Sequence, residues 1–173
     1  YVDALYDIVV SQAIGHGISI ADKELADGRE LIRELTKDHG NFLKTQHTED
    51  MFKVIIAGAL ASEAGDINVD PTEHGVKVRY RIDGMLHDIA TLASEYYIPL
   101  LSEIKSAAGI ATNVKKPTYD GRFSVKFSDK KIDCRLSIIM GGYGEAVAIR
   151  LLSNQAKSLD MKQLGLAAVS FDI

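Results

Sequence analysis

Three stretches of this chain alternate apolar and polar residues with period two: VKVRYRID (76–83), KIDCRLSII (131–139) and EAVAIRLL (145–152). Such alternation puts successive side chains on opposite faces of a strand, so each stretch has one face for a core and one for water. Val76, Val78, Tyr80 and Ile82 share one face of the first, opposite Lys77, Arg79, Arg81 and Asp83. Ile132, Cys134, Leu136 and Ile138 face inward in the second, and Val147, Ile149 and Leu151 in the third. A chain patterned this way must build a sheet covered on one side.

The segments between supply the covering and the turns. DINVD (66–70) is a further strand ended by Pro71, and Glu73–His74–Gly75 turns into the first long strand. Asp83–Gly84 is a hairpin signal, with MLHDIAT (85–91) as the return strand. VKKPTYDG (114–121) is a loop leading into RFSVKF (122–127), and GGYG (141–144) turns the second long strand into the third. HTEDMFKVIIAGALASEAG (47–65) has helical periodicity, with Thr48 as cap and Glu49 and Asp50 in its first turn. SEYYIPLLSEIKSAAGI (94–110) is a second helix, which tolerates Pro99 near its start. Residues 3–14 and 21–40 are amphipathic helices of an N-terminal arm, and 158–166 is a short helix or loop before an apolar tail. DIVVSQAIGHGISI near the N-terminus shares a helix-then-strand pattern with KVIIAGALASEAGDI, a likeness too loose for a repeat. Five or six antiparallel strands with helices packed on one face make an α+β fold.

Composition narrows the function. The 173 residues carry a net charge of −4, against the basic surplus of a nucleic-acid binder. The longest apolar run, VIIAGALA (54–61), falls far short of the ~20 residues that span a bilayer. A single cysteine, Cys134, rules out an internal disulfide and fits a reducing cytosol. The five histidines show no metal-ligand spacing, and no CxxC, GxSxG or dinucleotide fingerprint occurs. GGYG lacks the Lys-Ser/Thr end of a phosphate-binding P-loop and opens a strand, where no helix dipole helps an anion. No catalytic residue and no metal site is therefore expected within this chain.

Arg135 and Arg150 stand on the outward parity of neighbouring strands, and Ala146 and Ala148 leave the surroundings of Arg150 low. Two readings stay open at this point. The pair is either two solvated charges paired with Asp133 or Glu145, or two planar forks presented to an anion outside the chain. Arg79 and Arg81 read first as members of cross-strand ion pairs, with Asp83 setting the turn.

Taken in order, AGDINVDP (64–71), VRYRIDG (78–84), EIKSAAGI (103–110), PTYDGR (117–122), IDCRLS (132–137) and GYGEAVAIRLL (142–152) resemble one family. It is the domain that precedes the ATPase core in type II secretion and type IV pilus assembly ATPases. The chain departs from the family's SDIHIEP motif at Gly65, Asn68 and Asp70. The resemblance implies a PAS-like antiparallel sheet with packed helices over 47–163, preceded by a helical arm or linker over 1–46. Residues 164–173 would begin the linker to a RecA-like core that carries the P-loop. It further implies ATP and Mg in the parent protein, with none held by this part alone, which would not hydrolyse ATP by itself. The family's phosphate-reaching arginines fall on Arg135 and Arg150. Arg79, Arg81, Asp83, Arg122 and Glu145 are candidate interface residues. The implied partners are the chain's own core, neighbouring subunits of a homo-hexamer and an inner-membrane platform protein, with a cytoplasmic location peripheral to that membrane. The alternative is a stand-alone PAS-like small-molecule sensor or interaction module.

Overall fold

The alternating stretches do become strands, and they pair into one sheet of seven. The computed structural model describes residues 17–20, 48–112, 117–127 and 130–152. The expectations for 3–14, 21–40 and 153–173 lie outside the described residues. In chain order the elements are β1 (Gly17–Ile20), α1 (Thr48–Ala61), β2 (Asp66–Thr72), β3 (Gly75–Ile82), β4 (Met85–Leu92), a 3-10 turn (Ser94–Tyr96), α2 (Tyr97–Ala107), β5 (Thr118–Phe127), β6 (Lys130–Gly141) and β7 (Gly144–Leu152). The sheet order is β1-β5-β6-β7-β2-β3-β4. Two helices on a sheet of hairpins make the fold α+β, as the patterning requires.

Three differences from the sequence reading have physical causes. The sheet is mixed, because β1 adds to β5 in parallel while every other pair is antiparallel. A parallel neighbour needs a long crossover, and the chain between Ile20 and Thr118 supplies one. The GISI segment was visible only as the strand half of the loose N-terminal pattern, too short to count in the sheet. Thr118–Gly121, read as loop, is strand, since each residue pairs with β6. β2 runs through Pro71 to Thr72, and the proline is accommodated because pairing with β7 ends at Val69.

Both helices lie on the inward face. Met51, Phe52, Ile55, Ile56, Ala57 and Ala59 of α1 are buried, and the Phe52 ring meets Phe123 of β5 at 5.9 Å. Tyr80 of β3 donates its hydroxyl to the Ile55 carbonyl at 2.6 Å. From α2, Leu100, Leu101 and Ile104 join the same core. Each such aliphatic side chain, fully buried, contributes roughly 1.5–3 kcal/mol. The opposite face carries the polar parity of β3, β6 and β7, and on it Arg122, Lys126, Arg135 and Arg150 are exposed while Ser124 is buried.

The hairpin turns form where expected. Asp83 and Gly84 take φ of 49° and 80°, the left-handed pair of a two-residue turn. Between β6 and β7 the turn is Gly142–Tyr143, closed by Gly141 opposite Gly144. Gly144 is required by close approach: a Cβ there would sit 2.6 Å from the Tyr97 hydroxyl. Among the described residues no helix is long and apolar enough to cross a membrane.

Candidate functional site: an arginine row on the open face

Register brings most of the sequence-selected cations into one line. Arg122 on β5 is directly opposite Arg135 on β6, and Arg135 is directly opposite Arg150 on β7. Arg150 is opposite Asp66 on β2, and Asp66 opposite Arg81 on β3. Directly opposed residues share a face, so all five side chains stand on the solvent side. With strands about 4.8 Å apart, the three arginines of β5, β6 and β7 span roughly 10 Å of sheet.

Like charges placed opposite each other destabilise a sheet. One carboxylate offsets part of this. Asp66 Oδ1 lies 2.9 Å from Nε of Arg150, and its Oδ2 lies 3.1 Å from Nε of Arg81. The hydrogen bond to Asp66, and then its charge, raise the Arg150 guanidinium above its ordinary range. Arg150 nevertheless keeps 67% of its side chain exposed. Its bond to Asp66 uses Nε, and its terminal nitrogens make no hydrogen bond among the described residues. Arg122 and Arg135 are exposed and form no ion pair among the described residues. The carboxylates nearest in register are one row away on each side. Asp133 accepts from Ser124 at 2.8 Å and lies 3.7 Å from Lys131, and Asp120 stands opposite Ser137.

Of the remaining candidates, Arg81 shares the row through Asp66, whereas Arg79, Asp83 and Glu145 lie outside it. Arg79 is tied to Asp70 at 2.7 Å, and Arg81 also donates to the Gly84 carbonyl at 3.1 Å. Both cross-strand pairings match the simpler reading of the sequence. Asp83 sets the turn. Glu145, a candidate interface residue and counter-ion, needs correction: its parity is that of Val147 and Ile149, so it points inward and is 8% exposed. It meets Lys105 of α2, whose Nζ lies 2.9 Å and 2.7 Å from its two carboxylate oxygens. Lys105 also stacks 4.7 Å over the Tyr119 ring. The Tyr97 hydroxyl accepts from the Glu145 backbone N–H and donates to its carbonyl. Neither Asp66 nor Lys105 was singled out from the sequence. The signal for Lys105 was its spacing, four residues beyond Leu101 on the buried stripe.

In donor chemistry, the row suits a phosphate: planar, permanently charged forks that grip oxyanions two at a time. It does not suit a metal, and among the described residues no three His, Cys, Asp or Glu converge. The structure thus sets a row of exposed arginines on the polar face of an α+β sheet.

Comparison with known proteins gives the family of the chain. A model of the type II/IV secretion system protein family matches residues 41–172. The chain is 36% identical over 117 residues to the type II secretion system protein HxcR of Pseudomonas aeruginosa, covering 68% of this chain and 25% of that protein. It is 25% identical over 169 residues to the type II secretion system ATPase E of Vibrio cholerae, covering 88% and 34%. With the type IV pilus assembly ATPase PilB of Myxococcus xanthus the identity is 29% over 149 residues, covering 84% and 26%. The chain belongs to the type II/IV secretion system protein family. It spans between a quarter and about a third of the length of these relatives.

Proposed function

We propose that this chain is the regulatory and assembly domain of a hexameric ATPase that drives type II secretion or extends type IV pili. Arg135 and Arg150 would reach the phosphates of a nucleotide bound by the RecA-like core. The observation that carries the reading is their register: two exposed arginines face each other across β6 and β7, and just one of them has a carboxylate partner among the described residues. That costly juxtaposition is relieved when an oxyanion sits between the forks. The two motifs that supply them, DCRLS and AIRLL, are those in which the family carries its phosphate-reaching arginines.

When bound, ATP with Mg²⁺ supplies the phosphoanhydride whose hydrolysis drives the motor. The chain's own residues hold and orient. Arg135 and Arg150 neutralise phosphate charge from the open face, and Asp66 fixes the Nε edge of Arg150. The rigid sheet, of PAS-like type, converts phosphate contact into a preferred position of this domain against the core. The remaining partners are neighbouring subunits and an inner-membrane platform protein, reached from the cytoplasmic side.

The test is ATP turnover by the full-length protein. Arg135→Ala and Arg150→Ala should each lower it by roughly 10- to 1000-fold, the loss of a charged phosphate contact. Arg→Lys should rescue poorly, because a point charge does not reproduce the fork. Unchanged turnover in both alanine variants would return the pair to plain surface charges.

A further inference from the structure

Beside Arg135 and Arg150, the sheet lines up a third arginine on β5. We propose that Arg122 is a third phosphate contact, so that β5, β6 and β7 present a linear cradle for an extended oligophosphate chain. The inference rests on the reading that Arg135 and Arg150 face phosphate, and extends it to a residue and a ligand shape.

Arg122 is paired in register with Arg135 as directly as Arg135 is with Arg150. The charge of the row is lopsided. Asp66 partly neutralises the β7 end, whereas the β5 end has no acidic partner among the described residues. Asp133 already takes Ser124 and Lys131, and Asp120 forms no ion pair with Arg122. Anion attraction should therefore be strongest from the middle of the row toward Arg122.

Access supports the same end. β1 pairs with Ser124–Phe127, so it stops short of Arg122, and among the described residues no strand lies beyond Thr118–Phe123. The forks also differ in freedom: Arg150 is held at Nε by Asp66, while Arg135 and Arg122 carry no such tie among the described residues. One fixed and two adjustable forks along roughly 10 Å fit a chain of phosphates better than a single phosphate or carboxylate.

The test titrates the 173-residue chain with inorganic tripolyphosphate and with orthophosphate, following arginine Nε–H signals by NMR. Wild type should prefer tripolyphosphate. Arg122→Gln should weaken that binding roughly tenfold, on the scale of Arg135→Gln, as for loss of one partly exposed charge-assisted bond. Its preference over orthophosphate should shrink too. Lys126→Gln removes another exposed cation further along the same face of β5, and should change affinity by less than about twofold. If Arg135→Gln and Arg150→Gln weaken binding while Arg122→Gln does not, this inference falls and the phosphate reading stands. A Lys126→Gln loss equal to that of Arg122→Gln overturns the cradle in favour of diffuse attraction. Failure of the wild-type chain to bind tripolyphosphate overturns the cradle, while the phosphate reading, which puts the nucleotide on the core, stands or falls on turnover of the full-length Arg135→Ala and Arg150→Ala variants.

Discussion

Asp66 shows how one carboxylate can organise a row of like charges. It clasps two arginines by their Nε edges, so one charge orders Arg81 and Arg150 without enclosing either. Cys134, beside Arg135, behaves in the opposite way. Its side chain points into the core, and burial, helped by Asp133, pushes the thiol up to about 12. The unfolded thiol loses its proton near pH ~8.5 while the folded one keeps it. Its contribution to stability is thus complete below about pH 8.5 and falls as pH rises toward 12, by about 1.4 kcal/mol per unit for this one group. Denaturant titrations from pH 7 to 10.5 should show stability declining more in wild type than in Cys134→Ala. At pH 8 the native thiol should resist alkylation and react only on unfolding. Fast native labelling would mean that β6 opens.

At the scale of elements, β3, β6 and β7 were legible because period two survives in them, whereas β5, with Phe123, Ser124 and Val125 buried in succession, was read partly as loop. The inward sets Ile132–Ile138 and Val147–Leu151 are the observed ones, with Ile132 partly exposed and the rest buried. The pairing of Arg135 with its true neighbours was not legible, because parity gives the face of a residue but not its register. Asp66 and Arg150 are far apart in sequence and meet only through β2–β7 pairing. The Lys105–Glu145 bridge was hidden for a related reason: each residue falls on an inward phase, yet charge argues for the surface. That bridge fastens α2 to β7. Glu145→Gln would strand a buried ammonium and should cost about 3–5 kcal/mol. Lys105→Met with Glu145→Leu should recover most of that loss, since neither charge is then left alone. A single variant as stable as wild type would show that the buried bridge does not fasten the helix.

On the scale of the whole molecule, one architecture serves two needs. Helices on one face supply the core, and the open face carries cations of which Arg122 and Arg135 form no ion pair among the described residues. The α+β class follows from hairpins and two helices, both readable in the sequence. The parallel edge strand β1 was not readable as part of the sheet, because four residues hold too little alternation and its partner β5 lies far along the chain. Membership of the secretion family was legible from the ordered motifs, since their spacing follows the strands that the sheet requires. The central claim is that the row meets nucleotide phosphate. A crystal structure of the full-length protein with Mg²⁺ and a non-hydrolysable ATP analogue measures this most directly. Guanidinium nitrogens of Arg135 and Arg150 are predicted within about 3.2 Å of phosphate oxygens in the nucleotide-loaded, closed subunits. Both arginines lying beyond about 6 Å from every phosphate, in all subunits, would contradict the account.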